Sequence, residues 1–360
     1  MFVVEHGRHL IILYMTALLF NDIHASRDNL NEFEKNWDEM LSVCKENGIK
    51  NVIIGGDLFQ SRASQTLDTL LAVRASIRKA VAMGIKIVLI AGNHDKTDQE
   101  RYESFNNILE IEKGALCLSP DITKNYLTFH TKSGQPGVFW MLDYYPESGT
   151  ALDKIKQISD QVKAGDWNVL YCHQGISGAL SKPSDKELPV SAFEKFDLVL
   201  VGHYHDRCHI KGTNIYYIGA SRQHTYGEDE EKGYTIFSDG ITKFVKNLVN
   251  IRFATVECKS KDVESFTAAS QNRKLLDDPL YRVRLRVHAE PDETVDKDKY
   301  LAMGYNKVEV VDESLQANQT TEQSLETKYD KGEIKKEYAQ FCINEGVDPE
   351  LGMTYLEKIN

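Results

Sequence analysis

The sequence predicts a layered α/β fold, and three observations predict it. Apolar runs of four to six residues recur through the first two thirds of the chain, helical apolar periodicity separates the early ones, and five runs end on a residue able to bind a metal. Runs of that length read as buried strands of a largely parallel sheet, in which the strand C-termini form the working edge.

The elements follow in order. Arg8 and the apolar stretch Leu10 to Phe20 imitate a signal peptide, but the stretch is too short to span a bilayer and has no small-residue cleavage site before Asp22. Met15 to Phe20 is therefore expected to be the first core strand, leading into Asn21-Asp22-Ile23-His24, with residues 1–14 an added strand or an upstream start. Leu30, Phe33, Trp37, Met40, Leu41 and Cys44 follow helical spacing up to Asn47-Gly48, and the run at 51–54 then delivers Gly55-Gly56-Asp57. A second helical segment, Thr66 to Met83, stops at Gly84 and leads to the run 86–91 before Gly92-Asn93-His94-Asp95. A helix is expected over 151–164, then strands before Cys172-His173 and before Gly202-His203-Tyr204-His205. The stretches 215–218, 234–237 and 242–248 read as later strands. This defines a catalytic domain over residues 15–250.

Beyond it the texture changes. Helical spacing at 262–276 and 295–303 and strand patterns at 281–288 and 306–311 predict a small α+β cap over residues 251–311. Residues 312–330 are polar and read as a linker. Residues 331–360 hold two short amphipathic segments. One places Ile334, Tyr338, Phe341 and Cys342 on one face; the other opens with Asp348 as N-cap and Pro349 at the first helical position. Their apolar faces are either core against the cap or a docking surface for a partner.

Composition narrows the class. A chain of 360 residues can bury a full core, and its six cysteines contain no C-x-x-C pair, so a reducing cytoplasm is the expected home. No other stretch suits a membrane span. The formal net charge of −11 argues against indiscriminate nucleic-acid binding, while leaving room for a local basic surface.

The chemistry lies at the strand ends. Asp, Asn and His donors without a thiolate suit two divalent ions sharing a bridging carboxylate, about 3.5–4 Å apart, as phosphoester hydrolysis uses them. Manganese is the first choice, with magnesium, iron and zinc left open. Any one piece is weak, because a lone His173 would more often be a hydrogen-bonded core residue and a lone Asp22 or Asp57 a turn or cap. Five pieces in order are a different matter.

The ordered set Asp-x-His, Gly-Asp, Gly-Asn-His-Asp, His, Gly-His-x-His over residues 16–206 resembles the calcineurin-like metallophosphoesterases. The resemblance implies that Asp22, His24 and His205 hold one metal, that Asn93, His173 and His203 hold the other, and that Asp57 bridges them. It also implies that His94 faces the substrate, stabilising the transition state or protonating the leaving oxygen. Asp95 is expected to support or cap rather than ligate. His6, His9, His130, His209, His224 and His288 have no matching context and are expected to be structural or surface residues.

Fold and metals do not choose the substrate. The phosphoprotein phosphatase branch carries Gly-Asp-x-Val-Asp-Arg-Gly and Gly-Asn-His-Glu, whereas this chain has Gly56-Asp57-Leu58-Phe59-Gln60-Ser61-Arg62 and Gly-Asn-His-Asp. Gly-Asp-Leu-Phe, the segment Gly84 to Asp95, Ile218-Gly219-Ala220-Ser221, Glu230 to Tyr234 and Lys243 to Asn247 resemble SbcD-type DNA repair nucleases. Length and the brief C-terminal part are most similar to phage recombination endonuclease small subunits. The resemblance implies metal-dependent exonuclease and endonuclease action on DNA with an SbcC-like ATPase subunit, and it is compatible with a homodimer. Two departures flank the site: Gln60 stands where relatives carry Asp or His, and Ala25-Ser26 where they carry Leu-Gly.

In Tyr281 to His288 a period of two puts Arg282, Arg284 and Arg286 on one face and Val283, Leu285 and Val287 on the other. The arginines either contact DNA phosphates or form a solvated face paired with local carboxylates. Two other functions compete: a small-molecule or cyclic-nucleotide phosphodiesterase on the same fold, and a non-catalytic protein-binding scaffold. The intact donor set counts against the scaffold.

Overall fold

The computed structural model describes residues 15–180, 187–290 and 293–312, with Tyr338 and Cys342 as single positions. The expectations for residues 1–14, for the linker beyond Asp312 and for nearly all of the tail 331–360 lie outside the described residues. The chain forms two units, Met1–Ala254 with Asp278–Arg282, and Thr255–Asp277 with Val283–Asn360.

The first unit contains the strands β1 (Thr16–Phe20), β2 (Asn51–Gly55), β3 (Lys86–Ile90), β4 (Ala115–Cys117), β5 (Tyr126–His130), β6 (Pro136–Leu142), β7 (Trp167–His173), β8 (Leu198–Gly202), β9 (Cys208–His209), β10 (Ile215–Tyr217), β11 (Gly233–Ser238) and β12 (Ile241–Lys246). Its α-helices are α1 (Leu30–Glu46), α2 (Leu67–Ala82) and α3 (Ala151–Ser159). The strands form two six-stranded sheets, ordered β12-β11-β1-β2-β3-β4 and β5-β6-β7-β8-β10-β9. The strands β1 to β4 are parallel to one another, as are β6, β7, β8 and β10; antiparallel strands close one edge of the first sheet, with β11 and β12, and both edges of the second, with β5 and β9.

Both faces of each sheet are covered, which is why the strands read as continuous apolar runs. Leu18, Phe20, Val52, Ile54, Ile87 and Leu89 pack under Phe33, Trp37 and Met40 of α1 and Val73 and Ile77 of α2. On the alternate positions Leu19, Ile53, Val88 and Ile90 meet Phe139, Met141, Val169, Tyr171 and Leu200 of the second sheet. Leu170, Cys172, Val199 and Val201 then cover Ile155 and Ile158 of α3. The order of layers is helix, sheet, sheet, helix. The helix ends carry their expected signals: the Thr66 side chain accepts the Thr69 N–H at 3.3 Å, and Gly48 takes a left-handed φ of 64° after α1.

The single sheet expected from the sequence is two. The motif strands divide between them, β1, β2 and β3 in one and β7 and β8 in the other, because a buried run reports two covered faces and says nothing of which sheet it joins. The strands β4, β5 and β6 were not expected, and α3 ends at Ser159 rather than at 164.

A third sheet has the order β13-β14-β15, formed by β13 (Arg252–Lys259), β14 (Tyr281–Ala289) and β15 (Lys307–Asp312); apart from Arg252–Ala254 and Tyr281–Arg282 it belongs to the second unit, with α4 (Val263–Ala268), α5 (Ser270–Asp277) and α6 (Lys297–Ala302). The helix expected over 262–276 is broken at Ala269, whose ψ of 134° is extended. Val283, Leu285 and Val287 are buried as the alternation requires. Among the described residues no helix is long and apolar enough to cross a membrane.

Candidate metal centre

The loops that follow β1 and β2 are joined by backbone hydrogen bonds. Asp22 N–H donates to Gly56 O at 3.0 Å, Ala25 N–H to Leu58 O at 2.8 Å, and Gln60 N–H to Ala25 O at 3.0 Å. Asp95 ties in the loop after β3, its two carboxylate oxygens each accepting a backbone N–H at 2.9 Å, one from Phe59 and one from Gly92. Burial and the neighbouring Asp57 charge push the Asp95 carboxyl up to about 7.

Four candidate ligands sit in left-handed backbone conformations: Asp22, His24 and Asp57 at φ 51°, and His203 at φ 93°. Side chains rarely adopt this region, and each instance costs about 1–3 kcal/mol that surrounding structure must offset. The turn at Asp239 is the fifth non-glycine case among the described residues. Tight approach also fixes Gly92, where a Cβ would overlap the Asp57 carboxylate.

The structure brings all seven predicted ligands together. Asp57 Oδ2 lies 3.6 Å from His24 Nε2 and 3.4 Å from His173 Nε2. Asp22 Oδ1 lies 3.9 Å from Nε2 of both His24 and His205, and these two imidazole nitrogens are 3.1 Å apart. The Asn93 side-chain amide is 3.2 Å from His173 Nε2 and 3.1 Å from His203 Nδ1. Two groups of donors therefore meet at Asp57. Asp22 Oδ1 also comes within 3.8 Å of His173 Nε2, so it too stands between them.

These residues fit divalent cations. Asp22 Oδ1 is buried without a hydrogen-bond partner among the described residues. His205 Nδ1–H donates to Glu228 at 3.0 Å and His173 Nδ1–H to Gly55 O at 2.8 Å, which turns each Nε2 lone pair inward. Burial lowers His24 and His203 to about 3, keeping them neutral as ligation requires. Burial acts the same way on His173, but the Asp57 and Asp22 charges outweigh it and raise this imidazole to about 10. The Asp57 carboxyl is held well below its ordinary value: burial would raise it, and His173 and His24 outweigh that. The same negative potential would hold a cation.

His94 stands beside the donors. Its backbone N–H donates to Asp57 Oδ1 at 2.8 Å, its Nδ1 lies 2.5 Å from Gln60 O, and Arg62 Nη2 lies 3.4 Å from its Nε2. All of this lines a cleft of about 460 Å³ that also includes Arg222, His224, Ile251 and Phe253.

His224 and Glu228 are among the residues at the site that the sequence reading did not assign to it. His224, expected to be structural or surface, has its ring 5.0 Å from those of both His24 and His205, and its Nε2–H donates to Asp22 O at 2.8 Å. Glu228, just before the Glu230 to Tyr234 segment and in no motif of its own, orients His205. The arginine row is on β14. Arg284 Nη1 pairs with Glu309 at 3.3 Å, Arg286 Nη1 with Glu257 at 2.6 Å, and Arg282 donates to the carbonyls of Pro279 and Tyr281. These ion pairs support the solvated-face alternative for Arg284 and Arg286.

Residues 15–207, more than half of the chain, match the family model of the calcineurin-like phosphoesterases, and the chain belongs to that family. The family's fold binds two divalent metals, and membership makes this chain a metal-dependent phosphoesterase. Among solved structures, a dimetal phosphatase from Danio rerio is similar over 61% of this chain and 91% of its own, at 12% identity and a TM-score of 0.41. Nuclease MPE from Pseudomonas putida is similar over 62% of this chain and 83% of its own, at 16% identity and a TM-score of 0.29.

Proposed function

We propose that this phosphoesterase is a two-metal DNA nuclease, acting as exonuclease and endonuclease in recombination and repair with an SbcC-like ATPase as partner and manganese as its best-supporting metal. The observation that carries the reading is the composition of the cleft. It combines metal donors with Arg62 and Arg222, and its exposed lining residues Gln60, Arg62 and Thr225 open it to solvent. A polyanionic strand can lie in such a cleft. The Gly56-Asp57-Leu58-Phe59 run and the strand ends that resemble SbcD-type nucleases point the same way.

Asp22, His24 and His205 would hold one cation and Asn93, His173 and His203 the other, with Asp57 between. When bound, such a pair supplies Lewis-acid stabilisation of phosphoryl charge and lowers the pKa of water toward neutrality. The chain's own part is orientation and proton transfer. Gln60 O fixes the His94 ring at Nδ1, and Nε2, in the protonated ring, delivers a proton to the leaving oxygen. Arg62 beside that nitrogen adds positive charge where the phosphate would sit.

The deciding experiment gives the purified protein manganese with linear duplex DNA, single-stranded DNA and a cyclic nucleotide. Cleavage of DNA alone supports the nuclease. Hydrolysis of the cyclic nucleotide alone makes it a small-molecule phosphodiesterase, and hydrolysis of none of the three overturns the nuclease reading. For the partner, truncation after Asp330 should abolish co-purification with the ATPase while metal-dependent cleavage persists; retained binding would place the partner surface elsewhere.

A further inference from the structure

Arg222 is a buried cation that the metal centre does not use. It is 6% exposed, and no carboxylate lies within ion-pair distance among the described residues. Its Nη2 donates to Ile23 O at 3.1 Å, while its Nε is buried with no partner. Glu32 and Glu228 balance its charge from a distance, but their oxygens are engaged elsewhere. Glu32 accepts from Lys35, Asn250 and the Ile251 N–H, and Glu228 from His205 and the His224 N–H. Burial brings the guanidinium down to about 10, so it is still charged at neutral pH.

A guanidinium has five N–H donors and no acceptor, and leaving buried donors unmade is unfavourable. Arg222 also lines the catalytic cleft. Its anchor, Ile23, lies between the candidate ligands Asp22 and His24, about 3.8 Å along the chain from each. A cation here cannot ligate a metal and would repel one. It suits an anion that lies beside the reacting centre and is distinct from it. Ile251 and Phe253 add apolar lining to the same cleft, matching the sugar that joins two phosphates better than a further polar group.

We propose that Arg222 forms a subsite for the phosphate next to the scissile one, so that the enzyme takes a polynucleotide strand in preference to an isolated phosphodiester. This rests on the nuclease reading and names the substrate class for it. Guanidinium is the side chain best matched to phosphate, through paired N–H donors in a fixed fork. A strand offers a charge at every nucleotide, whereas a cyclic nucleotide offers one.

The test alters the substrate first, so that it does not depend on how a variant folds. Three single-stranded oligonucleotides with one cleavable linkage are compared with manganese: all-phosphate, and with a neutral methylphosphonate one linkage to either side of the scissile bond. For the wild-type enzyme one of the two neutral positions should lower kcat/KM by about 10- to 100-fold, the size of a charge-assisted hydrogen bond lost from a desolvated site. In Arg222→Gln the ratio between all-phosphate and methylphosphonate substrates should fall to near one, and Arg222→Lys should restore part of it. Wild-type indifference to both neutral positions, or an unchanged ratio in Arg222→Gln, overturns the subsite while leaving the nuclease intact. A wild-type enzyme that hydrolyses bis(p-nitrophenyl) phosphate but none of the oligonucleotides removes the nuclease reading and the subsite together.

Discussion

Glu228 Oε1 lies 3.0 Å from Nδ1 of His205, and its other oxygen accepts the His224 backbone N–H at 3.0 Å. One carboxylate therefore sets the tautomer of a metal donor and pins the loop that carries Arg222. Burial would raise the Glu228 carboxyl, but the His205 hydrogen bond and charge outweigh it and hold it below its ordinary value. Glu228→Gln keeps the shape and removes the charge. Manganese affinity measured by calorimetry is expected to fall about 10- to 100-fold, the usual effect of losing such an orienting partner. Wild-type affinity would show that His205 is oriented without it.

Asp57 is the carboxylate whose single oxygen comes within 3.6 Å of a donor from each group. Asp57→Ala should therefore disturb both metals rather than one. Metal content per chain, determined by mass spectrometry after equilibration with manganese, should drop below that of the wild type at both positions. Full occupancy of both would refute the bridging assignment.

His94 touches Asp57 through its backbone N–H, so His94→Ala leaves that bond in place. The variant should keep wild-type metal affinity and lose about 10²–10⁴ in kcat, the range for a positioned proton donor. Loss of metal binding, or an undiminished rate, would assign His94 another task.

Arg284 and Arg286 face carboxylates on the flanking strands of their own sheet. Replacing Arg282, Arg284 and Arg286 together with Gln should leave the salt dependence of DNA binding unchanged and alter stability by about 1 kcal/mol or less per exposed pair. A slope reduced by about one unit per arginine would instead place phosphates on this row.

What could be seen in the sequence was what periodicity and strand ends report. The helix of Phe33, Trp37 and Met40 and the donors after β1, β2, β3, β7 and β8 were visible because each lies within a few residues of a regular apolar pattern. His224 and Glu228 were not, because their loop leads into β11, which pairs antiparallel with β1 through contacts such as Leu19 with Thr235. That pairing joins segments more than 200 residues apart, and no local pattern encodes it. The arginine alternation was visible for the same reason the helices were, whereas one of its partners, Glu257, lies on a strand the sequence did not announce.

The left-handed backbone at Asp22, His24, Asp57 and His203 sets function against thermal endurance. A fold that holds four side chains in unfavourable conformations keeps them because they carry donors, so loss of activity can be a gain in stability. His203, at φ 93°, is the most displaced of the four. His203→Gly should melt higher than the wild type by several degrees when both are stripped of metal, and should be inactive. Selection for heat resistance alone would therefore erode the catalytic centre first.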